Sequence, residues 1–229
     1  SCCQYLNINS WGGIYTLMSN YSVYSLTITS GTFDCNDFNM TFANYLYAKF
    51  TMSGALNRVL YMGNSIWAFD SVKNDTSFWT VSGSNYTIYS EGSTINMPSS
   101  NATAKTFAGG NVIYNIVNFT YTAGSVNITG NNTFNQLNLT GNAKTLTFAA
   151  GSNNTIYGHN GWVTTSAQKY TIASATATST ATLTFTNCMP DFDNLIVTDI
   201  TALPFMFTGL GSTLLRTVNT MQTNAGHYL

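Results

Sequence analysis

The chain has 229 residues, a formal net charge of -1 and only 7% charged residues, against about 25% in an average soluble domain. Hydrophobic content is 44%, so the chain can fold, and its surface must be built largely from neutral Thr, Ser, Asn, Gly and Tyr. Seven Lys and Arg cannot neutralise a run of phosphates or form a polybasic patch, which argues against nucleic acid and against a membrane as partner.

From the N-terminus, Ser1-Cys2-Cys3 carries neither Met nor a basic leader, and Tyr5-Leu6-Asn7-Ile8-Asn9 already looks like strand in mid-coil; a fragment of something longer is expected. Strands are predicted at 25–29, 38–42, 85–89, 145–148, 181–185 and 194–198, each alternating apolar residues with Thr, Ser or Asn. Ser30-Gly31, Ser53-Gly54, Gly109-Gly110-Asn111, Gly130-Asn131-Asn132 and Gly151-Ser152-Asn153 mark corners between them, because Gly and Asn tolerate positive φ. Residues 67–80, with Lys73, Asn74 and Asp75 at their middle, read as a longer loop, and residues 211–218 as a short turn of helix. The three prolines, Pro98, Pro190 and Pro204, leave backbone donors committed to ladders. No apolar run approaches the roughly 18–20 residues of a membrane span.

A repeat ties these strands together. Tyr114-Asn115-Ile116-Val117-Asn118-Phe119-Thr120 returns 20 residues later as Phe134-Asn135-Gln136-Leu137-Asn138-Leu139-Thr140. Val126 and Ile128 answer Leu146 and Phe148, and after a short slip Asn132-Thr133-Phe134 answers Asn154-Thr155-Ile156. A period near 20 with alternation inside each copy predicts a strand-built solenoid, one coil per copy. The fold class is all-β: a parallel β-helix with coils of about 20–22 residues, the alternative being an antiparallel β-sandwich in which the match is a pair of similar hairpins. The whole chain, 1–229, reads as one domain, with its clearest repeats at 112–156. Stacked coils would place Asn115 over Asn135 and Asn118 over Asn138 as amide ladders, with Phe119 over Leu139 in an apolar column.

Little in the chain points to chemistry. Cys2, Cys3, Cys35 and Cys188 are too few and too scattered for a disulfide framework; buried thiols are the plainer reading, and a pairing of the vicinal cysteines with Cys35 is the other. They lack the spacing and His support of a zinc site. Asp191, Asp193 and Asp199 form the best acidic cluster, suited to general acid work or calcium, with a solvated turn after Pro190 as the bland alternative. Asp34 and Asp37 flank Cys35 in the same way. His159 and Trp162, in Tyr157-Gly158-His159-Asn160-Gly161-Trp162, could meet a sugar ring, although turn packing explains them as well; His227 has no evident partner. Ten Asn-x-Ser/Thr sequons (Asn20, Asn39, Asn74, Asn85, Asn101, Asn118, Asn127, Asn131, Asn138, Asn153) are nearly what the abundance of Asn, Ser and Thr gives by chance. No catalytic, cofactor-binding or metal-binding residue is therefore assigned, and no cofactor.

The runs at 26–34 and 39–42, those at 104–110 and 114–116, and above all those at 132–137 and 141–151 resemble the parallel β-helix segments of bacteriophage tail and fibre proteins. The resemblance covers residues 20–160 well and the rest loosely. It implies a right-handed parallel β-helix on a virus particle or cell surface, adding length and receptor contact, and it brings no catalytic residue. Tyr45, Tyr47, Tyr61, Trp67 and Trp79 depart from the pattern and are expected on a partner-facing surface. The expected function is a non-enzymatic structural segment of a virion appendage, at the virion surface or outside the cell. Its partners would be other copies, other virion or fibre proteins, and host surface glycans. The alternatives are an extracellular filament subunit or adhesin, and a polysaccharide depolymerase centred on Asp191 and Asp193.

Overall fold

The computed structural model describes residues 3–43, 48–69, 77–97, 104–120, 124–141, 144–162, 169–188, 194–203, 213–215 and 218–219. Alternation sets its local structure. Leu26 and Ile28, Phe50 and Met52, Val126 and Ile128, and Leu146 and Phe148 are buried, while the intervening Thr, Ser and Asn residues are partly exposed. Each strand therefore has one apolar and one polar side, and the apolar sides turn inward together.

Every pairing between the named strands is parallel, which excludes the antiparallel sandwich. The pairings sort into three faces wound in a fixed order, a parallel β-helix. The first face runs from residues 5–8 and 25–28 through Lys49–Met52, Ser77–Val81, Lys105–Ala108, Ser125–Thr129, Thr145–Phe148, Tyr170–Ser174 and Leu195–Thr198 to Thr213–Leu215. The second includes residues 31–34, Arg58–Tyr61, Tyr86–Tyr89, Asn153–Ile156, Ala181–Phe185 and Ile200–Leu203. The third includes Met40–Phe42, Ile66–Phe69, Thr94–Met97, residues 116–119 and 136–139, and His159–Asn160. Ten coils at about 4.8 Å each give a rod on the order of 40 Å long.

The coil length of 20–22 residues holds from Thr94 to Asn160, where Asn96, Asn118, Asn138 and Asn160 succeed one another in register. Before and after this stretch most coils are longer: Phe50 meets Trp79, 29 residues on, and Asn154 meets Leu183 at the same offset. Two elements differ from expectation. Ile66–Phe69 and Ser77–Val81 are strands, so the loop predicted at 67–80 is shorter, and its centre at Lys73, Asn74 and Asp75 lies outside the described residues. The predicted helical turn is instead strand at Thr213–Leu215 and Val218–Asn219.

One corner explains how the chain keeps winding. Between the first and second faces, successive coils place Gly12, Gly31, Gly54, Gly83, Gly110, Gly130 and Gly151 at positive φ, and Thr178 and Asp199 continue the series. Nearly every turn of the rod thus bends at this edge through a left-handed residue, a conformation that glycine adopts at least cost. Packing makes the requirement absolute at Gly83, where a Cβ would lie 2.2 Å from the Gly54 carbonyl oxygen.

Inside, aromatic side chains stack coil on coil. Phe42 and Phe69 lie 4.3 Å apart and nearly parallel, Phe50 and Trp79 are also at 4.3 Å, and Trp79 stacks on Phe107 at 5.9 Å. Trp67 and Trp79 are fully buried. The expectation that they face a partner is thereby corrected: their indoles build the core, and their N–H groups find internal acceptors, Ser65 Oγ at 2.9 Å and Tyr114 Oη at 2.9 Å. Tyr61 alone of that group is described at the surface, stacked on Tyr89 at 4.7 Å; Tyr45 and Tyr47 lie outside the described residues.

Candidate functional surfaces

Because each coil repeats the last, outward side chains form columns along the rod. On the first face Thr27, Thr51 and Thr80 are in register and lead to Ala108 and Thr129. Beside them run Ser77, Thr106, Asn127, Thr147, Ala173 and Thr198, then Ser125, Thr145, Thr171 and Ile196. Lys49 is the one charged residue among the outward positions of this face from Ser25 to Thr198. The result is a strip of hydroxyls and methyls with a repeat of about 4.8 Å along the axis.

The third face carries the predicted amide ladder. Asn138 Nδ2 donates to Asn118 Oδ1 at 2.8 Å, and Asn118 Nδ2 donates in turn to Asn96 Oδ1 at 2.6 Å. At the adjoining corner Asn135 Nδ2 donates to Asn115 Oδ1 at 3.3 Å. Another series lines the first corner: Asn111 Oδ1 accepts from the Asn131 backbone N–H, and Asn131 Oδ1 from that of Asn153. The two outcomes for the sequons follow from this chemistry. Asn118 and Asn138 spend their Nδ2 groups, the atoms a glycan would need, on the ladder. Asn20 and Asn131 are exposed and use Oδ1 as acceptor.

Buried cations pin the corners. Arg58 is fully buried and donates to the carbonyls of Leu56 (3.0 Å), Gly54 (2.7 Å), Ser82 (3.1 Å) and Ser84, so one guanidinium staples two successive coils. It also lies over the Tyr86 ring at 5.7 Å. Burial lowers its pKa, although carbonyl dipoles replace much of its lost hydration. Lys144 donates to the carbonyls of Phe119 (2.9 Å) and Thr140, and burial lowers its pKa to about 8. Sequence reasoning overlooked both, and the signal was available: a rare cation beside a corner in a chain with almost none.

The acidic residues considered from sequence are dispersed or used as braces. Asp191 and Asp193 lie outside the described residues, as do Pro190 and His227. Asp199 is buried, and its Oδ2 accepts from the Thr178 N–H at 3.2 Å. Asp34 Oδ1 accepts from the Asn36 N–H at 2.8 Å, while Asp37 Oδ1 accepts from the Asn64 N–H at 2.7 Å. His159 packs 5.8 Å from Trp162, whose indole is buried and donates to the Leu137 carbonyl at 2.8 Å. The Trp162 face is thus committed to the core and is not offered to a sugar. Cys35 is a buried free thiol whose pKa burial pushes up to about 12, and Cys188 is a half-buried free thiol. The Cys2 and Cys3 side chains lie outside the described set. Among the described residues no three His, Cys, Asp or Glu side chains gather as a metal site.

Comparison of the chain with protein-family models, with curated proteins and with solved structures gives no match.

Proposed function

We propose that this chain is a non-enzymatic β-helical segment of a virion appendage, a tail or capsid fibre, that adds length and offers its sides to other copies, to other fibre proteins and to host surface glycans. The observation that supports this reading best is the strip of outward Thr, Ser and Asn along the first face from Thr27 to Thr198. An uncharged hydrogen-bonding strip with a fixed repeat suits lateral contact with another repeating polymer, whether a neighbouring fibre or a glycan chain. Stacked aromatics and corner staples supply the stiffness that a spacer needs.

The test is immunogold electron microscopy of native material with antibodies to this chain, followed by image reconstruction. Gold on tails or capsid fibres is the expected result. Label confined to particle-free filaments would replace the proposal by the extracellular-filament reading. Glycan cleavage that disappears in an Asp191→Asn, Asp193→Asn double variant of stable fold would replace it by a depolymerase.

A further inference from the structure

The first coil differs from all the coils beneath it. Its strand, Cys3–Thr16, pairs with residues 23–34 along one edge, and among the described residues nothing pairs along the other. The inward columns are open at this end: Tyr15 is 44% exposed, whereas Phe33, its partner in register, is 1% exposed. Exposed apolar residues concentrate here as well, with Trp11 at 86%, Met18 at 82% and Ile14 at 69%. Soluble proteins ordinarily blunt such an edge with Lys, Pro or a covering element. This one has neither Lys nor Pro, and residues 3–33 contain no charged residue at all.

We infer that this edge is a self-association surface, closed by the same edge of a second copy of this chain across a two-fold axis. The backbone row requires an extended strand as its occupant, since only a strand satisfies a line of alternating donors and acceptors. Continuity with the coil-on-coil contact requires that apolar residues of the occupant fall over Leu6, Ile8 and Tyr15. The edge itself meets both conditions. In an antiparallel pairing centred on Asn7, Leu6 of one copy lies opposite Ile8 of the other, inward over inward, and Asn7 faces Asn7 on the outside. The lack of charge lets identical edges approach without repulsion. Such an isologous contact closes at two copies and leaves no edge to propagate. The inference depends on the coil stack alone and not on the role proposed above.

Sedimentation velocity of the full chain over a range of concentrations tests it, together with two variants at exposed Asn7. The chain is expected to be a dimer. Asn7→Lys sets like charges opposite each other and should weaken dimerisation by about 100-fold while circular dichroism and melting stay unchanged. Asn7→Cys, in a Cys2→Ser, Cys3→Ser background, should form an intermolecular disulfide on mild oxidation, because only the two-fold arrangement brings residue 7 against itself. A chain that stays monomeric at all concentrations, filaments that grow end to end, or a dimer indifferent to Asn7→Lys would overturn the inference.

Discussion

Trp79 Nε1 donates to Tyr114 Oη at 2.9 Å, and Tyr114 Oη donates to the Gly109 carbonyl at 2.6 Å. The two side chains stand 35 residues apart, on different faces and successive coils, and the relay ends at a corner. Both are buried, so neither polar group has water as an alternative partner. Burial pushes the Tyr114 pKa up, keeping the hydroxyl in the protonated form that the relay needs. Tyr114→Phe strands the Trp79 N–H and the Gly109 carbonyl while leaving the volume almost unchanged. It is expected to cost about 1–3 kcal/mol in urea unfolding, with an unchanged m value.

The ladder on the third face makes Asn118 both donor and acceptor. Asn118→Leu removes two amide bonds and leaves the Asn138 and Asn96 amides to find water, for an expected loss of about 1–3 kcal/mol. The same geometry predicts a glycosylation pattern. In a secretory host, glycopeptide mass spectrometry should find Asn118 and Asn138 unoccupied, and Asn20 and Asn131 as the sites able to take a glycan.

Lys144 gives the stability a pH dependence of defined sign. Its folded pKa, about 8, lies below the model value of 10.5, so between these values the unfolded chain binds more protons. Stability from this group must therefore rise with pH across that window. Lys144→Met removes the dependence. The stability of the wild type relative to this variant should increase from pH 7.5 to 10.5 by on the order of 2 kcal/mol, measured by denaturant titration at each pH. A flat difference would show that the ammonium is as well solvated in the fold as in water.

Cys35 serves as an internal reporter of coil separation. It is buried, and its thiol is pushed up to about 12 by burial, with Asp34 and Asp37 adding to the effect. Thiolate is the reactive form. At pH 8 its modification by a disulfide reagent should be at least 100-fold slower than in unfolded chain, with a rate that tracks unfolding across a denaturant series. Fast labelling without loss of structure would mean that the second and third coils part locally.

Much of the architecture could be read from the residues because a solenoid writes itself locally. The 20-residue match between 114–120 and 134–140 is the inter-coil register itself, since equivalent residues stack with nothing between them. Asn118 over Asn138 followed from that match and was legible to the atom. The glycine series from Gly12 to Gly151 was equally present, and only the pairing of Gly130 with Gly151 was drawn from it; variable coil lengths hid the rest. The strands around Trp67 and Trp79 were missed because Lys73, Asn74 and Asp75 drew the reading toward a loop. Phe78 and Trp79 are both buried, beside a register irregularity at Thr106/Phe107, and so break strict alternation.

Alternation and repeat, then, determined by themselves that the chain is all-β and stacks in coils, because inward and outward side chains and inter-coil neighbours are fixed by local spacing. Only the tertiary structure decided that three faces close around one core, that Trp67, Trp79 and Trp162 face inward, and that Arg58 and Lys144 are buried among carbonyls. It also decided that the first coil is left open with its apolar columns exposed. Those properties depend on which coil lies above and below each residue, and an end is defined by a neighbour that is absent, which no local pattern encodes.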